Sequence, residues 1–330
     1  MKILFIGGTG VISSACSRLA VERGFDLFML NRGQTARPIP ENVTLLQGDI
    51  RDMASTKAAL GSHTFDAVVN WIAYTTGHVE TDLALFKGRT GQYIFISSAS
   101  AYQTPPSTLP VTESTPLDNP YWLYSRNKIA CEELLVQAYR GEKFPITIVR
   151  PSHTYDRTKI PLPGGYATIA RLRQGKKAIV HGDGSSLWVL THHEDFAKGF
   201  VGLLGNSRAI GEAFHITSDE WLNWNQIYEL LARAAGVDAN LIHVTSDVIA
   251  AYDENWGAGL LGDKTNSMVF DNAKIKRVVP DFSATIPFSH GAAQMIAWHD
   301  ADPARQVIDE RMDALMDKIV TAQEGVTKSK

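Results

Sequence analysis

Tyr124 and Lys128 stand four residues apart, and Ser98 precedes the tyrosine by 26 positions. On a helix, residues four apart share a face, so the phenol and the ammonium become neighbours. A free phenol has a pKa of about 10 and is a poor base at neutral pH. An ammonium ~4 Å away, at an effective dielectric near 20, contributes ~4 kcal/mol, or about 3 pKa units. That shift brings the phenol toward operating pH, where proton transfer is most efficient. The trio therefore predicts proton exchange at a hydroxyl or carbonyl oxygen. Tyr124 moves the proton, Lys128 tunes it and can hold a ribose, and Ser98 hydrogen-bonds the substrate oxygen. Taken alone, the pair is also what any surface helix can carry by chance.

The chain's opening gives the trio its meaning. Gly7-Gly8-Thr9-Gly10-Val11-Ile12-Ser13 follows an apolar run and leads into a helical pattern. Glycine permits a tight strand-to-helix turn and lets a pyrophosphate approach the first helical N–H groups. The third small position of this pattern is Ser13 rather than glycine, a modest departure. Gly7, Gly10, Val11 and Ile12 are thus the expected phosphate cradle, with a plain tight turn as the other reading. After the second strand, where an acidic residue would bind NAD ribose hydroxyls, the chain has Asn31-Arg32-Gly33. A guanidinium there suits a 2′-phosphate, so NADP is favoured over NAD. Asp49 and Ile50 follow the third strand, where they reach an adenine, although Asp49 could equally cap a helix. Tyr124 and Lys128 complete the dinucleotide contacts that the residues themselves suggest.

The elements needed to position these residues are legible. Lys2–Ile6, Asp26–Leu30, Val43–Leu46, Ala67–Val69, Tyr93–Ile96 and Ile146–Val149 are short apolar runs, as strands covered on both faces require. Helical segments such as Ile12–Arg23 and Tyr124–Tyr139 alternate with them, which predicts an α/β fold with a doubly wound parallel sheet. Beyond about residue 156 the pattern changes. Helices are expected at Tyr166–Lys177, Thr191–Leu204, Asn223–Ala235 and Asp302–Ala322, a strand at Ala213–Thr217, and irregular chain from Tyr252 to Gly262. The expected division is a dinucleotide-binding domain, 1–160 plus about 190–218, and a smaller substrate lobe, about 161–189 plus 219–330.

Composition narrows the function class. The 330 residues carry a net charge of −3, which offers no footprint for nucleic acid or an anionic membrane. Cys16 and Cys131 read as free thiols of a reducing compartment, and the first apolar run is too short for a signal peptide. The cytoplasm is the expected setting.

On these residues the chain resembles the extended branch of the short-chain dehydrogenase/reductase family, the nucleotide-sugar epimerases and dehydratases. The likeness runs from residue 1 to about 300. It includes the serine-rich run Ser97 to Tyr102, Arg150-Pro151, the Gly182-Asp183-Gly184 turn, His192 to Asp195, Phe214 to Ile216 and Trp224-Asn225. The resemblance implies a Rossmann-type fold with Ser98, Tyr124 and Lys128 as the reacting set. It implies cofactor contacts from Ala73 and from a Pro151 segment that closes over the nicotinamide, and a dimer joined through the Tyr124 helix. Asn31 to Gly33 and Leu203 to Asn206 also look like the chloroplast stem-loop-binding proteins and their bacterial relatives.

Departures from the family pattern shape the expected activity. Trp188, between Leu187 and Val189, stands where many members grip a substrate diphosphate with arginine, which argues against a nucleotide sugar. Ala99 and Ser100 stand where dehydratases place Asp and Glu, so dehydration is not expected. The expected function is an NAD(P)-dependent oxidoreductase or epimerase acting on a secondary alcohol or ketone of a sugar-like molecule. The rival readings are an RNA-binding protein on a dinucleotide fold and a cofactor-sensing module without turnover. His192 and His193 cannot converge easily on one ion, so no metal is expected, and Asp195 reads as a helix cap. Trp224 reads as core, while Trp221 and Trp256 are core or pocket. Arg171, Arg173, Lys176 and Lys177 read as a solvated face.

Overall fold

In the computed structural model, residues 1–34 and 37–328 are described. Six parallel strands occur in the expected places: β1 (Lys2–Ile6), β2 (Asp26–Asn31), β3 (Thr44–Gln47), β4 (Ala67–Asn70), β5 (Tyr93–Ile96) and β6 (Ile146–Pro151). The strand Ala213–Ile216 adds a seventh, and the order across the sheet is Ala213–Ile216, β6, β5, β4, β1, β2, β3. Every pairing in this sheet is parallel. The central strands are buried throughout because helices cover both faces, which is why their sequences are apolar without alternation.

Helices α1 (Val11–Glu22), α2 (Met53–Leu60), α3 (Thr76–Phe86) and α4 (Leu123–Glu142) flank the sheet. Asp52 caps α2 by accepting from the amides of Ala54 and Ser55. α4 ends where Lys143 takes a left-handed conformation, φ 59°. One apolar core packs Phe5, Met29, Ile94 and Phe214 against Phe196 and Phe200. The other face packs Leu4, Leu30, Val68 and Phe95 against Leu60, Phe86 and Leu135.

A third core gathers Tyr155, Leu162, Ile169, Val180, Trp188, Trp224, Tyr228 and Met295. Its frame is α5 (Tyr166–Arg173), the parallel strand pair Ala178–His181 and Leu241–Val244, and the helices Trp224–Ala234 and Phe288–Asp300. Trp224 is core as expected, 2 % exposed, whereas Trp221 is 54 % exposed.

Several sequence expectations are corrected here. Tyr252 to Gly262 is not irregular: Glu254–Gly259 is helical and continues into a wider turn over Leu260–Lys264. Glycines at 257, 259 and 262 masked that helix, because they lower propensity without forbidding the conformation. Thr191–Leu204 begins as strand Leu190–His192 before α6 (His193–Val201). His192, not Asp195, caps α6, its Nδ1 accepting from the Glu194 amide; Asp195 is buried against Lys198. Asp302–Ala322 divides into a short turn at Pro303–Arg305 and a helix from Glu310 to Lys328, which leaves Val307 exposed. Arg171 is not on a solvated face. It is 2 % exposed and reaches Asp313 and Asp317 of that last helix at 2.6 and 2.7 Å.

Candidate active site

The carboxyl ends of the parallel strands bring the sequence-selected residues to one edge of the sheet. Gly7 (φ +93°) and Gly8 (φ +100°) turn the chain from β1 into α1. A Cβ on Gly8 would lie 3.2 Å from Met29, so the turn sits tight against β2. Ser13 has a specific role at the third position of the pattern. Its hydroxyl accepts the Gly10 amide at 2.7 Å, which leaves the following amides of Val11 and Ile12 to face a phosphate. His193 of α6 pins the turn by bonding the Val11 carbonyl at 3.1 Å.

The residues present fit a dinucleotide. Asn31 accepts the Gly33 amide at 2.9 Å through Oδ1, while its Nδ2 is buried with no partner among the described residues. An orphaned amide donor at the end of β2 is a group that awaits an acceptor. Arg32 is exposed beside it. Asp49 closes a local turn by accepting the Arg51 amide at 2.9 Å; the helix cap is Asp52. Ile50 is 3 % exposed and packs into the core, which leaves its backbone alone for a ligand.

Lys128 is 2 % exposed, and its ammonium donates to the carbonyls of Ala73 and Ile96, both at 2.7 Å. It lies over the Tyr124 ring, 5.7 Å from the centre. Here the structure corrects the electrostatic expectation. Burial pushes the Tyr124 phenol up to about 12, a facing Ser98 hydroxyl opposes that shift, and Lys128 does not bring it down. The ammonium is directed to backbone carbonyls rather than to the phenol oxygen. Burial in turn lowers Lys128 to about 8.

Ser98 ends a hydroxyl chain that the sequence did not reveal. Ser125, one residue past Tyr124, donates to Ser100 at 2.8 Å, and Ser100 meets Ser98 at 2.9 Å. With Ser100 taking a proton from Ser125, its own proton points to Ser98, and the Ser98 proton is left for the phenol or a substrate oxygen. Asn119 fixes the chain by donating to the Ser100 carbonyl at 2.8 Å.

A cavity of about 270 Å³ opens over Ser98 and Tyr124 and includes Ile12, Pro151, Trp188 and Lys264. Trp188 is 4 % exposed and packs on Trp224 in the core. The cavity wall is not purely apolar, because His153, Lys159, Asp263 and Lys264 also line it. None of these four was selected from the sequence. His153 directly follows the Arg150 to Ser152 segment, and Lys264 lies just beyond the stretch read as irregular. Their convergence is a product of tertiary structure.

The chain matches the model of the NAD-dependent epimerase/dehydratase family over residues 3–217. It belongs to that family. Among curated relatives, a 2′-dehydrokanamycin reductase of Streptomyces kanamyceticus is 25 % identical over 287 residues, covering 86 % of this chain and 80 % of the relative. The chloroplast stem-loop binding protein of 41 kDa b of Arabidopsis thaliana is 28 % identical over 262 residues, covering 73 % of this chain and 65 % of its own length. In fold, the chain is similar to the UDP-glucose 4-epimerase of Bifidobacterium longum solved with NAD⁺ and UDP. That likeness has a TM-score of 0.73 at 19 % identity, with 92 % of this chain and 99 % of the other covered. No helix among the described residues is long and apolar enough to cross a membrane.

Proposed function

We propose that this family member is an NAD(P)-dependent oxidoreductase or epimerase that interconverts a secondary alcohol and a ketone on a sugar-like molecule. The observation that carries the reading is the convergence of Ser98, Tyr124 and buried Lys128 beside a glycine turn that fits a dinucleotide. The bound nicotinamide supplies hydride exchange at the carbinol carbon. Tyr124 exchanges the proton at the substrate oxygen, and Ser98 donates a hydrogen bond to that oxygen through the chain behind it. Lys128 braces the end of β4 and carries the positive charge nearest the phenol ring. A phenol near 12 is protonated at neutral pH, the state in which it can protonate a nascent alkoxide during reduction. Arg32, exposed beside Asn31, supports NADP over NAD. Ala99 and Ser100 offer no carboxyl pair for elimination, which supports redox turnover over dehydration.

The test is transfer of deuterium from the labelled face of NADPH or NADH into a ketone. Product deuterium that disappears in Tyr124→Phe, with cofactor affinity preserved, supports the mechanism. Full turnover by Tyr124→Phe would overturn it.

A further inference from the structure

Behind the catalytic cavity lies a second chamber of about 330 Å³, and His153, Lys159 and Lys264 form walls common to both. Its remaining lining is mostly apolar, with Ile160, Leu162, Ile179, Trp224, Tyr228 and Trp256. At ~30 Å³ per water-sized unit, such a space holds roughly ten non-hydrogen atoms. The common wall is rich in donors. Trp188 gives its indole N–H to His153 Nδ1 at 3.4 Å, so the imidazole, kept neutral by burial, carries its proton on Nε2. Lys159 is an exposed residue whose pKa is lowered by partial desolvation and by the Lys264 charge, and its ammonium has no hydrogen-bond partner among the described residues. Lys264 is held by Asp263 at 2.9 Å. The indole N–H of Trp224 is fully enclosed and has no partner among the described residues. An ammonium without a protein acceptor, such as that of Lys159, is free to take one from a ligand.

We propose that the substrate is an anionic sugar derivative with an apolar ring attached, not a nucleotide sugar. This rests on the redox reading of the catalytic cavity and adds the substrate class. The sugar hydroxyl or ketone sits at Tyr124, a carboxylate lies between Lys159, Lys264 and His153, and an apolar aglycone fills the far chamber. A nucleoside diphosphate fits poorly, because its second phosphate and ribose would enter a wall of Leu162, Ile179 and Trp256.

Binding separates this inference from the redox reading because it needs no turnover. Phenyl glucuronide, phenyl glucoside, glucuronate and UDP-glucose would be titrated calorimetrically into the full-length protein loaded with nicotinamide cofactor. The expected result is phenyl glucuronide at least tenfold tighter than each of the others. Asn255→Trp, at an exposed position on the chamber wall, should erase the phenyl advantage. Lys159→Met should erase the carboxylate advantage and leave the phenyl advantage in place. UDP-glucose binding tightest, or variants that leave the ranking unchanged, would overturn the inference. So would no binding of phenyl glucuronide by a protein that still transfers deuterium to a simpler ketone; that last result would leave the redox reading standing.

Discussion

Lys128 holds its ammonium over the ring of Tyr124, 5.7 Å from the centre, while both of its short hydrogen bonds go to main-chain carbonyls. The lysine therefore ties helix α4 to the ends of β4 and β5 and only secondarily tunes the phenol. Lys128 titrates near 8 and Tyr124 near 12, so the lysine sets the first alkaline limit. The reduction rate, as kcat/KM, should hold level below pH 8 and fall above it as Lys128 loses its proton. Lys128→Arg should move that fall upward by more than a pH unit, and a pH–rate profile of the two proteins checks it.

The hydroxyl chain makes a second prediction. Ser100→Ala interrupts the path from Ser125 to Ser98 and should lower kcat by about tenfold, a loss of roughly 1.4 kcal/mol at the barrier. Ser125→Ala should do the same. Because the two act in series, the double variant should lose little more than either single one, a non-additivity read directly from a double-mutant cycle.

Beneath the same helix, Arg150 and Glu132 form a buried two-pronged ion pair at 2.9 and 2.5 Å. The guanidinium also lies 4.8 Å over the Tyr102 ring. Removing one partner strands a charge, so Glu132→Leu should cost about 3–5 kcal/mol in urea denaturation. Arg150→Met together with Glu132→Leu should recover most of that stability. Turnover in the double variant reports how far the pair fixes the position of α4.

Asp82 gives a pH signature of stability. It is fully buried, accepts from Tyr93 at 2.5 Å and from Asn70 at 2.6 Å, and is pushed up to about 7 by burial. A carboxyl raised in the folded state contributes fully below its unfolded pKa, and the contribution is lost as pH rises through the folded value. The protein should therefore lose stability between about pH 4 and 7 through this group. Asp82→Asn should match the parent at pH 4 and melt several degrees higher at pH 8, as differential scanning calorimetry would record.

Arg32 offers a cofactor prediction. Arg32→Ser should weaken NADPH by about tenfold and leave NADH within twofold, since a surface guanidinium–phosphate contact contributes on the order of 1–2 kcal/mol. Equal losses for both cofactors would remove the NADP preference.

The sheet and the trio could be read in advance because their signals are local. A strand buried on both faces must be apolar, and a turn such as Gly7-Gly8 needs residues that tolerate φ near +100°. The four-residue spacing of Tyr124 and Lys128 correctly placed both on one helix. It could not say where a flexible side chain directs its charge, and that is what separates the observed phenol from the expected one. Arg171 failed for a similar reason: its partners Asp313 and Asp317 lie some 140 residues away, and no pattern near a basic helix announces them. His153, Lys159 and Lys264 converge only through the packing of the third core. The candidate trio is therefore legible locally, whereas the cavity wall around it is a product of tertiary packing.

The seventh strand of the parallel sheet, Ala213–Ile216, joins β6 only after the chain has built α5 and the strand Ala178–His181. The chain leaves the sheet, contributes to the neighbouring core and returns. A single cut after residue 160 would leave one fragment without its edge strand and the other without its anchor. A graft that exchanges the substrate-recognising part between relatives therefore needs at least two seams. Recombination at one junction has nothing whole to hand on.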